Sequence, residues 1–180
     1  MFKQNISRRS LGLGAAAIAL TACSKTVPDA HANSSTAGNI TTDKTVNVMS
    51  DADWANLSEA EWKKRLGPNE FRVLRKAGTE RPFSSPLNDI KAKGTYVCGG
   101  CALPLFTSEQ KFDSGTGWPS FSDVIDGAIG KKTDFKLVAP RTEYHCSRCG
   151  GHHGHVFNDG PRPTGLRYCN NGIALKFIPA

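Results

Sequence analysis

The 180-residue chain has no apolar run long enough to cross a bilayer. Its longest, Leu11 to Ala22, is about twelve residues even with Gly12, Gly14 and Thr21 counted, against the roughly 20 that a spanning helix needs. Methionine is scarce, with only Met1 and Met49. Six cysteines are too few to staple a disulfide miniprotein of this length. There is no internal repeat, and the length suits one domain plus extensions. Charge bias is slight once Lys3, Arg8 and Arg9 are assigned to a removable leader, which leaves about +4 of the formal +7. The remaining cations are scattered, as in Lys63-Lys64-Arg65 and Lys131-Lys132, so they form no track for phosphates and nucleic-acid binding is not expected. What the chain does have is enough apolar residue, 38%, to build a core.

Its first residues read as an address. Ser7-Arg8-Arg9-Ser10-Leu11 resembles the twin-arginine signal read by an exporter of folded proteins. The weak apolar stretch behind it ends in Leu20-Thr21-Ala22-Cys23, which resembles a lipobox. Residues 1–22 are therefore expected to be an export signal. Cys23 is expected to be the lipidated mature N-terminus, with the alternative that it stays free. Acyl chains would anchor it at about 0.8 kcal/mol per buried CH₂. The protein is therefore expected on the periplasmic side, held by lipid, with the choice between inner and outer membrane left open by Ser24 and leaning outer. Residues 23–47 are mostly Ser, Thr, Ala, Asn and Asp, and read as a flexible tether.

The folded domain is expected over 48–180. Ser58-Glu-Ala-Glu61 forms a capping box, and Leu57, Trp62 and Leu66 mark a short helix. Gly67-Pro68 breaks it, and Pro68 opens a second helix through Phe71, Val73 and Leu74, ended by Gly78. Short apolar runs between Gly, Pro, Asp and Ser then predict strands. They lie at Tyr96-Val97, Leu105-Phe106, Phe121, Phe135 to Val138, Glu143 to His145, Val156-Phe157, Leu166 to Cys169 and Ile173 to Ile178. The fold class is mostly β, antiparallel, with a short helical N-terminal appendage.

Cys98-Gly-Gly-Cys101 and Cys146-Ser-Arg-Cys149 are two Cys-x-x-Cys knuckles 44 residues apart. Two such knuckles complete a tetrahedron of thiolates around a structural Zn²⁺. In an oxidising compartment the same four cysteines could form two disulfides instead. An exporter of folded chains favours the metal, because it could be loaded before export.

Cys169 remains, within Arg167-Tyr168-Cys169-Asn170-Asn171. On a strand, Arg167, Cys169 and Asn171 share a face, and a guanidinium there favours a thiolate. A lone cysteine is commonly an inert core residue, but this face is polar. Gly151-His152-His153-Gly154-His155 is dense in imidazole beside a knuckle, and His152 and His155 read as a polar site of donors or acids. In Gly115-Thr116-Gly117-Trp118-Pro119, Trp118 is either presented to a ligand or packed in the core.

Taken together, these segments resemble the B-type methionine-R-sulfoxide reductases over about residues 54 to 179. The resemblance rests on both knuckles, Lys111-Phe-Asp-Ser-Gly-Thr-Gly-Trp-Pro-Ser-Phe121, Arg141-Thr-Glu143, Gly151 through Cys169 and Leu175-Lys-Phe-Ile-Pro179. It implies a β-tent, two antiparallel sheets in a small barrel-like fold, clamped away from the site by a zinc ion on four cysteines. The implied activity is thiol-dependent repair of the R epimer of methionine sulfoxide, mainly in oxidised proteins or peptides, since each epimer has its own reductase. On this resemblance Cys169 is the nucleophile, favoured by Arg167. His152, His155 and Asn171 hold the sulfoxide oxygen and help deliver its proton. Trp118, with Phe157 and Thr116, receives the substrate side chain.

Two departures stand out. Thr116 occupies the position where many members carry a resolving cysteine, so the Cys169 sulfenic acid is expected to be cleared by an external thiol, thioredoxin-like or of low molecular weight. His153 stands where Leu is common, with a consequence at the pocket edge or none. A monomer is the default. Competing readings are a non-catalytic binding module on the same tent, a zinc-ribbon nucleic-acid binder and a metal-free, disulfide-stapled envelope protein.

Overall fold

A computed structural model describes residues 49–180 apart from Val138. The expected export signal, Cys23 and the tether therefore lie outside the described residues.

Among the described residues, three short helices come first. α1, Asp51–Asn56, was not expected. Its box uses Asp53 where Glu or Gln is usual, with Ser50 Oγ accepting the Asp53 N–H and Asp53 Oδ2 accepting the Ser50 N–H at 2.8 Å. α2, Glu59–Arg65, opens on the expected Ser58/Glu61 box, and α3, Pro68–Lys76, on Pro68. The left-handed residue that ends α3 is Ala77, one before the expected Gly78, and the Gly78 N–H closes the turn on the Arg72 carbonyl. α2 buries Trp62, which packs on Trp54 and lies under the Arg75 guanidinium, 4.7 Å from its ring. α3 buries Phe71, Val73 and Leu74.

Nine strands follow among the described residues: β1 Gly94–Cys98, β2 Pro104–Thr107, β3 Lys111–Phe112, β4 Ser120–Phe121, β5 Ile129–Asp134, β6 Arg141–Cys146, β7 His152–Phe157, β8 Arg167–Asn170 and β9 Leu175–Pro179. They form two antiparallel sheets, one ordered β2-β1-β9 and one β3-β4-β8-β7-β6-β5. The mostly β class with two antiparallel sheets is thus as expected. Tyr96 and Phe106 from the small sheet meet Phe121, Tyr144 and Tyr168 from the large one. Phe106 stacks on Phe121 with centroids 4.0 Å apart, and Tyr144 meets Tyr168 edge-on. Each such pair adds about 0.5–1.5 kcal/mol beyond its buried area.

Two strand expectations need correction. The predicted strand at Phe135 to Val138 is absent among the described residues, and Phe135 and Leu137 are exposed. The strand lies earlier, at Ile129–Asp134, with Lys131, Lys132 and Thr133 facing solvent. As the edge of the large sheet, β5 tolerates charged residues that an apolar-run criterion rejects. At the C-terminus, Gly172–Ala174 is a 3₁₀ turn, and the strand begins at Leu175.

Candidate active site and metal clamp

The two knuckles meet where the helical appendage covers the sheets. The four sulfurs lie within 4.8 Å of one another and all four residues are buried. Cys98 Sγ is 3.7 Å from Cys149 Sγ, and Cys101 Sγ is 3.5 Å from Cys146 Sγ. A disulfide would bring them to about 2.05 Å. Thiolates around zinc at about 2.3 Å stand about 3.8 Å apart in a tetrahedron. No pair is bonded, so the spacing and the all-sulfur donor set fit Zn²⁺ and exclude the disulfide alternative. Four protein ligands leave no open position, which makes the zinc structural. Contact with neighbouring sulfurs pushes the Cys98 and Cys149 thiols up, and a bound dication would offset this by holding all four as thiolates. The helices close over the clamp. A Cβ on Gly151 would press within 3.0 Å of Leu74 Cδ2 and 3.3 Å of Cys149 Sγ, and Arg75 Nη1 donates to the Cys149 carbonyl at 2.7 Å.

β7 carries a bulge that sorts the three histidines. Its pairing with β6 runs Tyr144↔Gly154 and then His145↔His152, so His153 is the extra residue. The extra residue puts His152 and His155 on one face, with ring centroids 5.6 Å apart. His153 goes the other way, fully buried and stacked on Tyr144. It therefore does not reach the pocket edge. Burial pushes it down to about 3, so it is neutral. Its Nδ1 faces the Asn170 amide Nδ2, which assigns the ring proton to Nε2, 3.4 Å from Cys98 Sγ. His153 thus supports a metal ligand from behind.

On the opposite side of β7, a cleft of about 230 Å³ opens over β8. Cys169 lines it, paired directly with His155 across the sheet and with Ser120 on β4. A Cβ on Gly154 would overlap the Cys169 carbonyl oxygen, so glycine is what lets β7 close against β8 here. Trp118 and Phe157 supply the apolar wall and Asn171 a polar corner. Trp118 is therefore presented to the cleft, with Nε1 donating to the Glu80 carbonyl at 3.3 Å. His152, Arg167 and Thr116 lie outside the wall.

Burial pushes the Cys169 thiol up, and Arg167 and the Thr116 hydroxyl oppose this. Arg167 favours the thiolate as expected, though less than burial opposes it. It also holds Asp159 through two bonds of 2.8 and 2.9 Å and lies 4.4 Å over the Phe157 ring. Asn171 lies just past β8, not on it. Its Oδ1 accepts the Glu80 N–H and its Nδ2 donates to the His153 carbonyl, both at 2.9 Å.

Four residues without a role in the sequence reading organise this site. Asp134 accepts His155 Nε2 at 2.8 Å and Arg141 Nη2 at 2.7 Å. The Lys136 main-chain N–H, then His155 and Arg141, hold its carboxyl well below the ordinary range. Arg141 itself lines the cleft. Glu143 Oε1 lies 3.0 Å from His152 Nδ1, within ion-pair reach but bent away from a good hydrogen bond. Burial pushes His152 down, and Glu143 opposes this. Glu80 accepts the Gly172 and Ile173 N–H groups, the latter at 3.0 Å. The alternation Arg141, Glu143, His145 on β6 was the one signal available for two of these, since it puts them on the His155 face. Glu80 and Asp134 had none.

Fold and site together define a zinc-clamped thiol enzyme with one cysteine outside the clamp among the described residues. The SelR domain matches residues 66–179. Among curated proteins, the chain is 54% identical over 123 residues to the "Peptide methionine sulfoxide reductase MsrB" of Leptospira interrogans, covering 68% of this chain and 94% of that one. The protein of the same name from Methanosarcina barkeri is 55% identical over 121 residues, covering 67% and 85%. That from Agrobacterium fabrum is 50% identical over 125 residues, covering 69% and 93%. A solved Mis18 "Yippee-like" domain aligns with 49% of the chain at a TM-score of 0.38 and 17% identity, a likeness too slight to build on. The chain belongs to the SelR family, the B-type methionine-R-sulfoxide reductases.

Proposed function

We propose that Cys169 is the nucleophile with which this enzyme reduces methionine-R-sulfoxide in proteins to methionine, and that an external thiol completes the cycle. The observation that carries this is the direct cross-strand pairing of Cys169 with His155 in a cleft walled by Trp118 and Phe157. The substrate methyl group rests against the indole, an apolar face suited to a soft sulfur neighbour. The Cys169 thiolate attacks the sulfoxide sulfur while the oxygen takes a proton. His155 is the donor at hand. Its Nε2 is held by Asp134 at 2.8 Å, which fixes the ring and leaves Nδ1 for the exchange. Asn171 orients the oxygen, and His152 supports His155 from behind. Methionine leaves, and Cys169 carries the oxygen as sulfenic acid.

Thr116 offers no thiol to resolve it. A first external thiol forms a mixed disulfide and releases water, and a second regenerates Cys169 and departs as the disulfide. One sulfoxide and two thiols thus give methionine, one disulfide and water. Cys98, Cys101, Cys146 and Cys149 would hold a zinc ion, which would support the fold and take no part in these steps.

The leader motifs support a place for this chemistry on the periplasmic side. Export through the twin-arginine route and lipid on Cys23 would hold a monomeric domain near the membrane, where secreted proteins are oxidised. Loss of radiolabelled palmitate from Cys23→Ser tests the anchor. For the reaction, the R and S sulfoxides of a short peptide are offered separately with dithiothreitol, beside Cys169→Ser. Reduction of R alone, abolished in the variant, supports the assignment. A folded, zinc-loaded protein that reduces neither would leave a binding module as the reading.

A further inference from the structure

Phe83 is an aromatic residue 74% exposed beside a functional cleft. Its backbone is left-handed, with φ 59°, a conformation that bulky residues avoid. Such strain persists only where neighbours impose it, and it concentrates at ligand sites. Here the Phe83 N–H donates to the Gly117 carbonyl at 2.7 Å, and Asn88 Nδ2 donates to the same oxygen at 3.1 Å. Gly117 is also left-handed, and a Cβ on it would come within 2.8 Å of Phe83 N. The segment bearing Phe83 is thus tied to the one bearing Trp118, in a shape that displays the Phe83 ring to solvent.

That ring borders a second cleft of about 130 Å³, with Phe112, Trp118 and Pro119 as its other apolar lining. Trp118 is common to this cleft and to the one holding Cys169. Around the rim, Lys91 and Lys111 are balanced by Asp89 and Asp113, so the cleft selects no charge. We propose that it is a subsite for an apolar side chain next to the methionine sulfoxide in the substrate polypeptide. This rests on the reaction assigned above. Successive residues of an extended chain are about 3.3–3.6 Å apart, so a peptide with its sulfoxide on the Cys169 side of Trp118 brings a neighbouring side chain to the Phe83 side. The Phe83, Phe112, Trp118 and Pro119 walls favour an apolar side chain there.

The test measures kcat/KM of the purified, processed protein on N-acetyl methionine-R-sulfoxide methylamide. The same measurement is made on versions extended by Phe, Leu or Asp, before or after the sulfoxide. The expected result is a preference of about three- to tenfold for Phe or Leu over Asp on one side. Phe83→Ala should bring that ratio toward one, and Phe83→Leu should keep most of it. A wild-type ratio of one on both sides would overturn the subsite. So would a ratio that survives in Phe83→Ala, including a uniform loss on all substrates, which would make Phe83 only a brace for the Trp118 loop. If Phe83→Ala does not fold, the wild-type ratio and Phe83→Leu decide. Failure of the wild type to reduce any R sulfoxide would instead overturn the assigned reaction, a result distinct from activity without preference.

Discussion

Replacing Glu80 by Gln should loosen the site from a residue that never touches Cys169. Glu80 sits in the link between α3 and β1 and joins three segments. Its carboxylate accepts two main-chain N–H groups at the turn before β9, its N–H donates to Asn171, and its carbonyl holds the Trp118 indole. Hydrogen bonds to a charged acceptor contribute about 1.5–3 kcal/mol and neutral ones about 0.5–1.5. Gln keeps the shape and the main-chain bonds but weakens two charged bonds, and its amide turns a donor toward a donor. The loss should be about 2 kcal/mol, or about 6–10 °C in Tm for a domain of this size. Because Asn171 and Trp118 share this anchor, kcat/KM should fall by about tenfold, as small displacements of positioning groups do. Melting followed by circular dichroism, with kcat/KM on an R-sulfoxide peptide, checks both. A Tm within about 2 °C of wild type, or full activity despite a lowered Tm, would refute the reasoning.

Asp134→Asn should reduce turnover by about tenfold or more at neutral pH without unfolding the protein, because it weakens the charge-assisted bond that orients the His155 ring; kcat on an R-sulfoxide peptide beside a melting curve checks both. Since burial raises the Cys169 thiol, single-turnover rates should climb with pH through and above the ordinary thiol range, as more thiolate forms. The same shift makes its contribution to stability complete below the unfolded thiol pKa and lost as pH rises through the folded one. Prolonged chelation should strip one zinc per chain and unfold the domain, because structural zinc contributes about 10–16 kcal/mol and a domain has about 5–15 to lose; elemental analysis beside a melting curve reads both. Thr116→Cys should form a disulfide with Cys169 after one turnover, lowering the mass by two hydrogens, because Thr116 is near enough to favour the Cys169 thiolate.

What the sequence made legible was chemistry with a spacing. The paired knuckles, the Ser58/Glu61 box and the apolar core strands each carry a short-range pattern, and each lies where expected. Edge strand β5 was misplaced because its inner half is polar and the exposed Phe135 and Leu137 just beyond it mimic a strand. The histidines needed the register. Strict alternation would put His153 and His155 on one face, and only the bulge opposite His145 reverses that. Glu80 and Asp134 were invisible because their partners lie 91 and 21 residues away, at Asn171 and His155. A carboxylate in a link, like Glu80, or at the last residue of a polar edge strand, like Asp134, has no periodicity to betray it.

The order of the small sheet, β2-β1-β9, has a consequence for how the protein is made. Its central strand β1 pairs on one side with nearby β2 and on the other with β9, where Cys98 lies opposite Leu175, 77 positions later. In the large sheet, β8 enters between β4 and β7, which both precede it. Neither sheet is complete until these late strands have joined. Assembly of the Cys169 cleft is therefore dominated by long-range pairing, a slow class of folding reaction. The knuckles, complete by Cys149, emerge earlier and could gather their metal before the reactive cysteine has a strand to sit on.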